Sequence, residues 1–126
     1  MMPAFLLPER VASEDGQGAV VALDQPHGPR FRLTLGITRI LERQSLELQV
    51  HGSADGSAWR RLAAFPGKSF CGTYSQNLDL SDHADVRFLR AEWKMRRWNR
   101  QDESRPLFGF YVWVEDLYPK ALRAAS

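Results

Sequence analysis

The chain has 126 residues, of which 44% are hydrophobic and 25% are charged, and its formal net charge is +2. This length suits one domain with its own core and is too short for two comfortable domains, and the composition is ordinary for a soluble globular protein, so we expect a single domain over residues 1–126. The single cysteine, Cys71, excludes an intrachain disulfide and is typical of a reducing compartment, which predicts a cytoplasmic protein.

The first residues, MMPAFLLPERVASEDG, contain a short apolar run between Pro3 and Pro8, and Glu9 follows it. A secretory signal needs about 7–15 apolar residues after a basic start. A membrane helix needs about 20 apolar residues. We therefore expect neither a leader nor a membrane partner.

Strand patterns dominate the rest of the chain. A short β-branched run at 19–23 precedes a break at Pro26, Gly28 and Pro29, and residues 59–65 form a further strand that ends at Pro66-Gly67. Clear alternation with a period of two occurs at 31–40, 46–51, 86–95 and 107–117. It predicts these inward residues: Phe31, Leu33, Leu35, Ile37, Leu46, Leu48, Val50, Leu89, Ala91, Trp93, Met95, Phe108, Phe110, Val112 and Val114.

The segment at 69–80 is predicted as short strand pieces, residues 96–106 as a long polar loop, and residues after 117 as a tail. Short strands at a spacing of about 8–12 residues indicate a β-sandwich or a barrel. A helix over 111–123 is the nearest rival, and Gly109, Pro119 and the β-branched residues argue against it. We predict an all-β antiparallel sandwich whose core covers about 19–117, with tails at both ends.

Two interpretations exist for the stretch HGSADGSAW, residues 51–59: a loop that binds a metal or a ligand, or only the bend between two strands. Asp55-Gly56 favours a tight turn because both residue types tolerate positive φ, and Ser53 can bond back to the turn backbone. A calcium site needs about six or more oxygen ligands, more than the loop offers. We predict a structural turn, with Trp59 as a core residue just after it.

This region resembles the strand–turn–strand of discoidin-like (coagulation factor 5/8 C-terminal-type) modules in the galactose-binding-like superfamily. The matching residues are Gly52, Ser53, Asp55, Gly56, Trp59 and Leu62, and Arg87 and Arg90 in DVRFLRAEW match an arginine-containing strand of that family. The likeness covers about 19–117. It implies a jelly-roll sandwich of galactose-binding-like topology, and a binding module more often than an enzyme.

Five basic residues are interleaved with two tryptophans, Trp93 and Trp98, in RAEWKMRRWNR. Such a pattern is able to bind phosphates and bases, but Glu92 interrupts it, acidic residues follow it and the chain is nearly neutral, which argues against a nucleic-acid partner. A strand edge and a solvated loop are the structural alternative. If the loop binds a carbohydrate or a related small ligand, the candidate residues are Arg96, Arg97, Trp98 and Arg100, with Lys68 and Tyr74 as further candidates.

Tyr111 and Trp113 face away from the predicted core stripe of the last strand and therefore need cover. Three covers remain open: a sugar ring stacked on Trp113, a second copy of the chain, or the chain's own N-terminal segment or C-terminal tail. Because tyrosine and tryptophan are enriched in interface cores, these two residues are the candidate interface of a homo-oligomer.

No pattern indicates catalysis, a metal or a cofactor. Cys71 is predicted to be buried in a strand, and His27, His51 and His83 lack the spacing of metal ligands. We therefore predict a non-enzymatic binding module for carbohydrate or a related small ligand at the loop end of the sandwich. The alternative is a structural or assembly protein that self-associates or joins a larger complex.

Overall fold

The computed structural model describes residues 4–23, 28–40, 44–68, 70–97 and 107–117. This part of the chain forms strands and no helix, and therefore no helix long and apolar enough to span a membrane. The strands are β1 (Ala4–Ala12), β2 (Gly16–Gln17), β3 (Val21–Ala22), β4 (Arg30–Ile40), β5 (Gln44–Ser53), β6 (Arg60–Lys68), β7 (Gly72–Asp79), β8 (Phe88–Arg97) and β9 (Phe108–Asp116).

Two antiparallel sheets pack face to face, which confirms the predicted β-sandwich. The first sheet has the order β1-β9-β4-β7, and the second has the order β2-β8-β5-β6, with β3 also paired to β8. Trp93 of the second sheet meets Phe110 of the first, with ring centroids 5.4 Å apart. The core therefore lies between the two sheets.

The alternating strands place their apolar residues as predicted. In β4, Phe31, Leu33, Leu35 and Ile37 are buried in the core, and the residues between them face outward, including Gly36, which the Tyr111 side chain covers on the outer face. The inward stripes of β5, β8 and β9 join the same core, with Met95 partly buried at its margin. The period of two was sufficient to identify the inward residues of these strands because each strand has one face on the core.

The N-terminal segment was predicted as a tail, and this was wrong. It forms β1, which pairs with β9 at the edge of the first sheet. A register shift between Phe5 and Leu7 puts Leu6 and Leu7 both in the core, so the segment shows no clean alternation. Pro8 fits the strand because an edge strand has N–H groups that need no ladder partner.

Other boundaries also differ from the predictions. β6 continues through Pro66-Gly67 to Lys68, again at a sheet edge, and the pieces expected within 69–80 are one strand, β7. Only Val21–Ala22 of the run at 19–23 pairs as a strand. The remainder of the predicted loop and the C-terminal tail, residues 98–106 and 118–126, lie outside the described residues.

Candidate functional site

The polar groups of the turn at residues 53–58 form hydrogen bonds with one another. Ser53 Oγ accepts the N–H groups of Gly56 (2.8 Å) and Asp55 (3.3 Å) and donates to Asp55 Oδ1 (3.1 Å). That carboxylate oxygen accepts the N–H groups of Ala58 (3.0 Å) and Ser57 (2.9 Å), and these bonds hold the pKa of Asp55 well below its usual range. Gly56 has a φ of 84°, as a tight turn requires. The predicted structural turn is confirmed.

Trp59 does not lie in the core, so this prediction was wrong. It is half-buried on the outer side of the second sheet, where the Arg90 guanidinium carbon lies 4.3 Å from the centre of the indole ring. Leu62, and not Trp59, faces the core at this end of the second sheet. Its side chain packs so closely against Gly52 of β5 that a Cβ atom on Gly52 would lie 2.4 Å from Leu62 Cδ1. The register shift between Val50 and His51 brings Leu62 inward, and a strict period of two does not anticipate it.

Cys71 is exposed, whereas we predicted it to be buried. It precedes β7 instead of lying within it, so it has no inward position in the sheet. Among the described residues, no group of three or more histidine, cysteine, aspartate or glutamate side chains is arranged to hold a metal ion.

Lys68 and Tyr74, two of the predicted ligand residues, lie together. The Lys68 Nζ atom is 4.8 Å from the centre of the Tyr74 ring, and the Tyr74 hydroxyl donates a hydrogen bond of 2.7 Å to the Phe70 carbonyl. Phe70 itself is 75% exposed, more than the other large hydrophobic residues that are exposed in the described ranges. Phe70 was not among the predicted ligand residues because residues 69–74 were expected to be strand, although the flanking Gly67 and Gly72 mark a connection.

Arg96 and Arg97 belong to the end of β8, where their backbone pairs with Ser45 and Gln44, and not to a loop as predicted. Trp98 and Arg100 lie outside the described residues, and so do the side chains of Arg96 and Arg97.

The end of β8 lies on the same side of the molecule as Lys68. Leu46 pairs with Met95 on one side and with Lys68 on the other. Only residues 69–71 separate β6 from β7, so β7 begins at this end too. We call this end, with Lys68, Phe70 and Tyr74, the loop end.

Tyr111 and Trp113 point outward from β9, as predicted. The Phe5 ring packs edge-on against both, with centroids 5.9 Å and 4.7 Å away, so the N-terminal segment supplies part of their cover. The Tyr111 side chain lies across the neighbouring strand β4, directly over Gly36. A Cβ atom on Gly36 would lie 2.1 Å from Tyr111 Cζ. Phe5 remains 47% exposed, and we call these three aromatic residues the aromatic face.

The outer side of the second sheet carries a row of three basic side chains on neighbouring strands, which the sequence did not indicate. His51 of β5 is paired directly with Arg61 of β6 and with Arg90 of β8, and we call these three residues the cationic row. His51 Nε2 lies 3.1 Å from Gln49 Oε1 and 3.5 Å from Glu92 Oε2. Burial lowers the pKa of His51, and the neighbouring arginines lower it further, while Glu92 opposes them.

No protein-family model, curated protein or solved structure matches this chain. The functional assignment therefore depends on the geometry of the three surfaces described above.

Proposed function

We propose that the protein is a non-enzymatic binding module for carbohydrate or a related small ligand, with the jelly-roll topology of galactose-binding-like, discoidin-like modules. The strand order supports this topology. If β2 and β3 are counted as one interrupted strand, the sheets have the orders 1-8-3-6 and 2-7-4-5. Apart from the 4-5 pair, strands that are neighbours in a sheet lie far apart in the chain, as two interlocked Greek keys require.

The proposed ligand site is the loop end, and the exposure of Phe70 is the observation that supports it most. A phenylalanine ring that is 75% exposed is costly to leave in water, and it offers an apolar surface to the non-polar face of a sugar ring. The Tyr74 hydroxyl bonds to the Phe70 carbonyl and Lys68 lies over the Tyr74 ring, so two polar groups of the kind that orient a ligand belong to the same end of the sandwich.

The test is a glycan array followed by calorimetry on Phe70→Ala and Phe5→Ala. Both substitutions remove a partly exposed phenylalanine, but Phe5 lies on the first sheet's edge, away from the loop end. We expect Phe70→Ala to abolish binding of the selected glycan and Phe5→Ala to leave it unchanged. Equal affinities for the two variants, or an array without any binder, would contradict the proposal.

A second candidate function is assembly through the aromatic face, and a separate observation favours it. Phe5 and Val11 of β1 are 47% and 55% exposed at the edge of the first sheet, beside Tyr111 and Trp113. Apolar residues grouped in this way on a surface often mark protein contacts. Light scattering over a wide range of concentration tests this function, because Phe5→Ala should reduce the average mass and Phe70→Ala should not.

We further propose a cytoplasmic location for the protein. The exposed thiol of Cys71, the only cysteine of the chain, supports this placement, because an exposed free cysteine persists best in a reducing compartment.

A further inference from the structure

We propose that the cationic row is a second binding site, which takes a phosphate or carboxylate group between Arg61 and Arg90 and above His51. This site lies on the outer face of the second sheet and is independent of the loop end.

Two arginines of the cationic row lie close together and have no acidic partner within the described residues. Cross-strand neighbours have Cβ atoms about 5 Å apart, so Arg61 and Arg90 flank His51 closely enough for both long side chains to reach one small anion. Two other arginines do have such partners: Arg60 contacts the Asp85 carboxylate, and Arg30 Nε lies 3.9 Å from Asp79 Oδ2. Within the described residues, Arg61 and Arg90 contact no carboxylate.

The Arg90 side chain combines a contact with Trp59 and a hydrogen-bond donor that has no partner within the described residues. Its guanidinium lies over the Trp59 ring, with the guanidinium carbon 4.3 Å from the ring centre, and this cation–π contact holds the group against the indole. Its Nε donor is buried and has no acceptor within the described residues. Buried donors are normally paired, and a stacked guanidinium still directs its N–H groups along its edge, so the geometry favours an oxyanion as the missing acceptor.

His51 gives this site a dependence on pH. The charged groups that face it are Arg61 from β6 and Arg90, Glu92 and Lys94 from β8, and burial together with the three cations keeps its pKa low. An anion in the site counteracts those cations, so it raises the pKa of His51. By linkage, the rise in the pKa of His51 means that binding takes up protons there, so the affinity for a carboxylate such as acetate, whose own charge is constant near neutral pH, rises as the pH falls through the titration of His51.

The experiment is an NMR titration of the His51 ring with inorganic phosphate and with acetate, at constant ionic strength set by sodium chloride. We expect saturable shifts of the His51 signals and a higher pKa with phosphate, acetate or both. The ion that saturates the site identifies the preferred group. Shifts with phosphate and acetate no larger than with chloride would overturn the proposal.

Variants decide whether the arginines carry the binding. We expect Arg61→Gln to weaken phosphate binding roughly tenfold, since it removes a charge-assisted contact. The matched control is Arg32→Gln, which removes the same charge from an exposed arginine on the outer face of the other sheet. If the control weakens binding as much as Arg61→Gln does, the effect is one of net charge and the proposed site is wrong. Arg61 is exposed, so its replacement leaves the fold intact.

Discussion

Replacing Trp93 and Trp59 by alanine in separate variants tests the placement of the two tryptophans. Trp93 is 4% exposed, meets Phe110 across the sandwich, and donates a hydrogen bond of 2.9 Å from Nε1 to the carbonyl of Glu14. Trp59 is half-buried outside the core, with Arg90 stacked on it. The same substitution should therefore cost much more at Trp93.

The magnitude follows from the buried area. A tryptophan removes roughly 150–250 Å² from water, which at about 25 cal/mol per Å² is worth about 4–6 kcal/mol. Because the unfolded chain already buries part of this area, we expect Trp93→Ala to lower the free energy of unfolding by about 3–5 kcal/mol. Trp59→Ala leaves a surface that water fills instead of a cavity, and we expect a loss of about 2 kcal/mol, including its cation–π contact.

Urea denaturation followed by far-UV circular dichroism measures both values, since the slope of the transition also shows whether the folded state has changed. Trp93→Phe serves as a second variant if Trp93→Ala does not fold, and it should retain part of the contact with Phe110. A loss at Trp59 equal to or larger than the loss at Trp93 would refute our placement of Trp59 outside the core.

Three further predictions concern the aromatic face, the turn and the cationic row. Gly36→Val should lower Tm strongly or prevent folding, because its Cβ would collide with Tyr111; thermal denaturation measures this effect. The Asp55 carboxylate, whose pKa is lowered by its hydrogen bonds, should stabilise the protein above about pH 4 and lose this effect as the pH falls further, so Asp55→Asn should flatten the acid limb of a stability–pH curve. Arg61→Gln should raise the pKa of His51 measured by NMR without added anion, since it removes a neighbouring positive charge.

The sequence predicted the sandwich and the inward stripes because β4, β5, β8 and β9 each have one apolar face. Such a face is visible in the sequence as apolar residues at every second position of one strand. It failed where a register shift breaks the period of two. Such shifts brought Leu6 and Leu7 inward together and put Leu62 in the place expected for Trp59.

The candidate site could be predicted only in part, for a related reason. Lys68 and Tyr74 were named and do lie together, but the exposed Phe70 between them was missed because the connection was interpreted as strand. The cationic row joins His51 to Arg61 and Arg90 through strand register, and register is a property of the pairing that alternation within one strand does not specify.

Chemical-shift mapping with a glycan selected on the array tests the central claim most directly. We predict that the backbone amide signals of Lys68, Phe70 and Tyr74 shift on titration, while those of Tyr111 and Trp113 do not. Shifts confined to the aromatic face, or no shift at the loop end at saturating glycan, would contradict the assignment of the loop end as the ligand site.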